Sequence, residues 1–506
     1  MIEQDLGFVA DLDEALSQID PKLQTVRFAT STEFLAWMEK LQAHDPELSP
    51  PLPTDVFHGL ITSIESWKFK DVRLIGKFKT LFVQKKLAAK EEDIFVLFTG
   101  FETPTFQLKR FESKSVNNVI FKPFDKLLLK QLIDVALKGR VAVKTHYTHV
   151  LKAVSKIEML KEIRLLQVGE ISFKTVSDQT IEPGLTAKYY ADFFETRQHR
   201  SGLAQVLKTE PHTGDRRIVA SAGESGEAAA GVIDVTLRFF ALDQTQSFNI
   251  QKLAQTHKNV VPLIDKAPAP NDYEFVFIEQ ESSVFAAELK PSFERFFDHK
   301  ISSVPSIAYF TKELATYTAK KVFVLIDHAH IAQNEAAEVA SLRKLHPNLS
   351  VFILTRQILS EELEVELSSL AEDIFYAPFN RSSIVKGLKL RYPDLANKEV
   401  LFENVHDVEQ TIHVSTPVQL LEVSEANLVI SYRREIPLGS FREFVLWLPN
   451  EAEVPTLLAQ CNFNEKSADG KGFKCHFIFF GLGDHELKFI RRWMLLQYVD
   501  AKQKGE

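Results

Sequence analysis

At 506 residues the chain has room for roughly three to four domains of about 100–200 residues each, and 45% hydrophobic with 25% charged residues is the balance of a globular protein with real cores. A net charge of −8 argues against nucleic acid as the main partner, and two cysteines, Cys461 and Cys475, exclude a disulfide framework and suit a reducing compartment. The first residues lack a basic stretch followed by an apolar core, and no run reaches about 18 apolar residues, so the expectation is a cytoplasmic protein with no membrane span.

In chain order, residues 5–11 read as a buried strand, 12–19 as a helix and 24–29 as a second strand. Residues 31–42 read as a helix capped by Ser31 or Thr32, and 44–53 as a proline-rich loop. Strand 56–63, helix 74–90, strand 94–99, helix 104–114 and strand 118–121 follow. Lys122-Pro123-Phe124 then leads into a helix with apolar positions Leu129, Leu132, Ile133 and Ala136. Five strands alternating with helices predict a parallel sheet covered on both faces.

Residues 273–392 repeat this order. The strands read as 273–279, 300–304, 322–327, 350–355 and 373–376; the helices between and after them read as 282–297, 306–320, 335–345, 361–370 and a last one up to Leu390. Pro378-Phe379 matches Pro123-Phe124, and Thr355 matches Thr99 at the end of strand four.

Each α/β stretch is followed by short strands. After the first these are 164–177, 202–211 and 232–243, closed by helix 247–257; after the second they are 417–431, 441–449, 457–465 and 473–482, closed by helix 485–499. Leu203-Ala204-Gln205 matches Leu458-Ala459-Gln460, Phe239-Phe240 matches Phe479-Phe480, and Glu170-x-Ser172 matches Glu422-x-Ser424. Such spacing predicts a small antiparallel barrel or sandwich. Residues 260–272 read as the linker between halves, and 213–231 and 465–472 as corresponding loops. The expected fold class is multidomain: two doubly wound five-stranded parallel sheets and two small antiparallel β-barrels, as a tandem duplication. The expected domains are 1–140, 145–258, 268–395 and 396–506.

The α/β stretches resemble receiver domains of bacterial response regulators, through strand order, the threonine ending strand four, and Lys-Pro-Phe with its closing helix. The resemblance implies a phosphoacceptor aspartate at the end of strand three, acids after strand one to hold Mg²⁺, and a lysine and a hydroxyl on the phosphoryl oxygens. In the second stretch Asp327, Glu279, Glu281 and Thr355 fit, but the lysine position is Ala377. In the first, Thr99 and Lys122 are present, with Asp11 or Asp13 after strand one, yet strand three ends in Thr62-Ser63 and has no aspartate. Lys122 reads equally well as a salt-bridge partner for Asp11 or Asp13. Both stretches therefore read as pseudo-receivers; Mg²⁺ enters only if Asp327 is phosphorylated.

The β-rich stretches resemble PilZ domains, the second through 422–431, Pro437-Leu438-Gly439 and 477–494, the first through 170–177, Pro183-Gly184 and 235–253. PilZ domains often bind cyclic di-GMP with an RxxxR pair and a D/N-x-S-x-x-G turn, because guanidinium groups pair with phosphates and stack on guanine. Here the turns begin with glutamate, the closing glycine is Asn427 or Thr175, and no RxxxR precedes either. Cyclic di-GMP is not expected; Ser172, Ser424 and Asn427 are the contacts if it binds.

Asp327-His328-Ala329-His330 offers at most part of a metal site, and none is expected. Cys461 and Cys475 read as buried small hydrophobes on adjacent strands, and Arg433-Arg434 and Arg491-Arg492 as solvated faces. Phe239-Phe240 and Phe479-Phe480 alternate faces, so one of each pair is expected exposed, as a partner contact. With no catalytic triad, phosphate loop or paired carboxylate cleft, the expected function is a non-catalytic signalling adaptor that binds other proteins. The expectation includes no nucleic acid, and it admits a homodimer. The alternatives are a switch worked through Asp327 or a PilZ-like barrel, and an enzyme of unrecognised type.

Overall fold

The computed structural model describes residues 1–3, 6–19, 21, 25–43, 59–66, 74–102, 111, 115–138, 155–177, 181–196, 201–212, 233–256, 259–263, 273–279, 285–297, 300–313, 316–317, 321–331, 340–341, 343–344, 346, 348–395, 400–447, 454–467, 470 and 472–503. Its helices are α1 (Leu6–Ile19), α2 (Ser31–Ala43), α3 (Leu74–Gln84), α4 (Lys126–Lys138), α5 (Gln244–Ala254), α6 (Phe285–Phe296), α7 (Ile307–Glu313), α8 (Glu361–Ser368), α9 (Arg381–Arg391) and α10 (Asp484–Gln503). The first strands are β1 (Gly59–Ser63), β2 (Phe95–Phe101), β3 (Asn118–Lys122), β4 (Ser155–Gly169), β5 (Ser172–Ser177), β6 (Thr186–Tyr190), β7 (Ser201–Pro211), β8 (Ile233–Phe240) and β9 (Asn259–Pro262). They are followed by β10 (Tyr273–Ile278), β11 (Lys300–Val304), β12 (Lys321–Asp327), β13 (Leu349–Thr355), β14 (Asp373–Tyr376), β15 (Phe402–Val423), β16 (Asn427–Tyr432), β17 (Phe441–Val445), β18 (Thr456–Lys466) and β19 (Phe473–Phe479). Among the described residues no helix is long and apolar enough to cross a membrane.

The chain divides into two compact units. Unit 1 joins residues 1–160 to 417–506, and unit 2 is residues 161–416. The divisions fall inside β4 and β15, so each of these strands gives one end to each unit.

In unit 2 the parallel sheet runs β11-β10-β12-β13-β14. That is the 2-1-3-4-5 order of a doubly wound α/β fold, whose open edge lies at the strand C-termini. All of β10 and β13 is buried, which is why they read as unbroken apolar runs. In unit 1, β1, β2 and β3 are parallel in that order, and Ile2 adds parallel bridges to Thr62 and to Phe28. Counted with these bridges, the order is again 2-1-3-4-5.

The expectation of a strand over 5–11 is corrected by α1. Strand one is the stretch at Ile2, and residues from Leu6 onward are helical. Phe8, Leu12, Ala15 and Leu16 are buried, the spacing of one helix face packed on the sheet. Most of the expected helices 104–114 and 335–345, the loops 44–53 and 213–231, and most of the linker 260–272 lie outside the described residues. Residues 259–262 form β9, antiparallel to residues 402–405 of β15.

The antiparallel strands follow the same sequence in each unit. Unit 1 pairs β15 with β16, then β19, β18, β17 and the first part of β4. Unit 2 pairs the rest of β4 with β5, then β8, β7, β6 and β15. The protein is thus mixed α/β, with two parallel sheets and extensive antiparallel sheet. Cys461 and Cys475 are free and buried on neighbouring strands β18 and β19; burial pushes their thiols up to about 12 and about 11.

Both phenylalanine pairs are fully buried, correcting the expectation that one of each would be exposed. The faces do alternate, but both are covered. Phe239 packs in the antiparallel core with Phe173 and Phe194, while Phe240 enters the core of the parallel sheet β10–β14. In unit 1, Phe480 likewise joins the core around Phe78, Phe82 and Phe98.

Candidate functional site

At the open edge of unit 1 the acid facing Lys122 is Glu3, not Asp11 or Asp13. Lys122 Nζ lies 2.8 Å from Glu3 Oε2, and Thr99 Oγ1 donates to the same oxygen at 3.1 Å. Both charged side chains are almost fully buried, and the Lys122 ammonium also sits 4.5 Å from the Phe8 ring centroid. Asp11 pairs instead with Lys126, and Asp13 with Arg27, because α1 turns both acids outward. Thr62 is buried beside the Ile2 bridge, and Ser63 Oγ donates to Glu65. Three expected residues, Thr62, Thr99 and Lys122, therefore gather at one edge, and the sequence reading missed the fourth, Glu3. An acid directly after the short apolar start was the available signal.

In unit 2, Asp327 ends β12 half-buried, but its Oδ1 accepts from the Ala329 amide at 2.9 Å and caps the turn His328–His330. Burial lowers the His328 pKa, against the pull of Asp327. Glu279 accepts from the Ala286 amide at 3.0 Å, at the start of α6. Thr355 Oγ1 exchanges hydrogen bonds with the Gln357 backbone, both at 3.1 Å. At the lysine position stands Ala377; the cation described nearest in sequence to Thr355 is Arg356, 3.6 Å from Glu288 and stacked on Phe285. Glu281 lies outside the described residues. The bonds before Pro123 and Pro378 are both cis.

The turn between β4 and β5 is filled from within. Glu403, on β15, accepts from the Ile171 amide (3.0 Å), the Ser172 amide (3.2 Å) and Ser172 Oγ (3.1 Å), all at Oε1. This is an arrangement of donors that suits an anion, and the chain supplies the anion. Burial pushes the Glu403 carboxyl up to about 7, with Glu170 adding to the rise, and outweighs the three hydrogen bonds that favour the charge. Glu170 is itself held by Lys386 and by Asn404 Nδ2. A side chain at Gly169 would collide with the Glu403 carboxylate. In the corresponding turn of unit 1, Ser424 Oγ accepts from the Ala426 and Asn427 amides at 3.2 and 3.1 Å, so Ser424 and Asn427 serve each other.

Each unit joins its two sheets with one repeated contact. In unit 2 the Ala241 amide donates to Asp373 Oδ1 at 2.9 Å; in unit 1 the Gly481 amide donates to Asn118 Oδ1 at 3.0 Å. Ala241 and Gly481 both have positive φ, 54° and 64°, the left-handed turn that points the amide at its acceptor. Asp373 also holds Arg238, whose guanidinium reaches the Glu372 carbonyl. Asn118 and Asp373 stand four residues before Lys122 and Ala377, a match that strand patterning gave no reason to single out.

No protein-family model and no curated protein matches the chain. Among solved structures, a pilus assembly-related protein from Burkholderia pseudomallei is 18% identical over 25% of this chain and 93% of that one, with a TM-score of 0.21. The signal receiver domain of a DNA-binding response regulator from Colwellia psychrerythraea is 20% identical over 23% and 96%, with a TM-score of 0.21. The isolated REC domain of RcsB from Salmonella enterica serovar Typhimurium is 13% identical over 24% and 86%, with a TM-score of 0.20. These scores are too low to carry the fold, which rests on strand order and register.

Proposed function

We propose that the protein is a non-catalytic signalling adaptor, built from two degenerate receiver-like and two degenerate PilZ-like modules that arose by duplication of one block. The observation that carries this reading is that in two of these modules the ligand position is filled by one of the chain's own carboxylates. Glu3 spans Lys122 and Thr99 where a phosphoryl group would bind, and Glu403 takes the donors of the Ile171-Ser172 turn. In unit 2 the face formed by β14 and α9 is already joined to the antiparallel sheet through Asp373 and Lys386. What remains for partners is protein surface, and the role is binding other proteins, in a cytoplasmic two-component or cyclic di-GMP network.

The test is incubation of the full chain with acetyl phosphate or beryllofluoride and Mg²⁺, alongside calorimetry with cyclic di-GMP. The expected results are no added mass, no fluorescence change and no binding heat, with protein partners recovered from the native cell by pull-down. The second reading is a switch at Asp327, favoured by its place at the end of β12, paired with Leu354 next to Thr355. A mass gain of one phosphoryl group, lost in Asp327→Asn, establishes that reading and overturns the first.

A further inference from the structure

A half-open cavity of about 370 Å³ lies in unit 2, between the end of β8 with α5 and β14 with α9. Its volume is in the range of small-molecule sites, and a junction of modules is a usual place for one. The charged side chains on its wall are already engaged. Arg238 pairs with Asp373, Glu170 is held by Lys386 and Asn404, and Asp243 caps α5 by accepting from the Gln246 amide. What faces the space otherwise is apolar, with uncharged amides and hydroxyls among it. A further charge would lose part of its hydration there without gaining an ion-pair partner, so the space suits an uncharged occupant.

At the positions of unit 1 that correspond to this wall the side chains differ in size and charge. The seventh residue of α4 is Leu132, which is buried; the seventh of α9 is Gly387, which lines the cavity. A Cβ built on Gly387 meets nothing within 4 Å, so packing does not require the glycine. A glycine inside a helix costs about 1 kcal/mol relative to alanine, and here that cost leaves space beside the helix. The eighth residue of α10 is Arg491, whose guanidinium reaches Glu425 at 2.8 Å and Asp125 at 2.7 Å; the eighth of α5 is the shorter, uncharged Gln251. The fifth residue of α10 is Lys488, and at that position α5 carries Phe248, 65% exposed on the cavity rim.

We propose that this cavity binds a small, uncharged, largely aromatic molecule, through apolar contact with Phe239, Phe379 and Ile384 and hydrogen bonds to Gln251, Ser383 or Asn380. Gln251 Nε2 now donates to Ser383 Oγ at 3.2 Å, an exchangeable pair at the wall. The inference does not rest on the adaptor reading, because an adaptor functions equally with the cavity empty.

The test is equilibrium dialysis of the full chain against 2-naphthol, with naphthalene-2-sulfonate as the charged counterpart. Saturable one-to-one binding of 2-naphthol is expected, weakened about tenfold or more in Gly387→Leu and in Gln251→Arg, with the sulfonate at least about tenfold weaker than 2-naphthol. Circular dichroism and thermal denaturation identify which variants remain folded, and the two substitutions lie on different helices, so either one suffices. Absence of saturable 2-naphthol binding overturns the proposal. So does unchanged affinity in a folded variant, or equal affinity for the sulfonate.

Discussion

Lys122 and Glu3 have side chains only 5% and 4% exposed, so each is tolerable only because the other is there. Removing one partner of a buried pair leaves an uncompensated charge and costs about 3–5 kcal/mol, whereas replacing both by apolar groups is often close to neutral. Lys122→Met is therefore expected to lower the denaturant stability of unit 1 by about 3 kcal/mol, and adding Glu3→Leu to restore most of it. A double variant no more stable than the single one would show that the pair does not act as a pair. Glu403 yields a pH dependence. Burial raises its carboxyl in the folded state from the ordinary carboxylate range to about 7, so the folded form holds the proton more tightly. The associated stability is fully present below the unfolded pKa and is lost as pH rises through about 7. Glu364, pushed by burial to about 8, acts in the same direction. Unit 2 is expected to lose stability between about pH 5 and pH 8, with Glu403→Gln reducing that loss by up to about 3 kcal/mol over the range. Chemical denaturation at several pH values checks this, and parallel profiles for the two proteins would refute it.

At the scale of elements, the contact that joins a parallel sheet to an antiparallel one is the most exposed to test. Arg238 is buried, and Asp373 is its charged partner while also accepting from the Ala241 amide. Asp373→Ala is expected to cost about 3–5 kcal/mol, by stranding the guanidinium. Arg238→Met with Asp373→Asn, the asparagine being the residue unit 1 uses at Asn118, should recover at least half; denaturation midpoints decide it. Much of this level was legible in the sequence. Parallel strands buried on both faces are continuous apolar runs, and β10, β12 and β13 were found within a residue or two for that reason. Residues 5–11 failed because a short apolar run does not distinguish a strand from the first turns of a helix; the displaced strand shifted the acid of the site from Glu3 to Asp11 and Asp13. The phenylalanine pairs were read correctly as alternating. That both faces were covered depends on a second core, and alternation along one strand carries no information about a second core.

For the whole molecule, the division of the chain was not in the pattern at all. Spacing identifies strands and helices; it does not say which stretches far apart in sequence will pack together. Residues 1–160 are compact with 417–506, and 161–416 form the other unit, so a cut near residue 264 leaves neither unit intact. A polypeptide ending at residue 263 is expected to be aggregated or to self-associate through exposed core faces, and co-expression with 264–506 to restore a soluble one-to-one complex. Size-exclusion chromatography with light scattering reads this directly; a stable, fully folded monomer of residues 1–263 would contradict it.

The placement of these divisions inside β4 and β15 also orders events at the ribosome. The middle of the polypeptide can close first, once residue 416 has left the exit tunnel. Residues 1–160, Glu3 among them, are made before that middle segment, yet they have to wait for residues 417–506, made after it, before their own compact unit is complete.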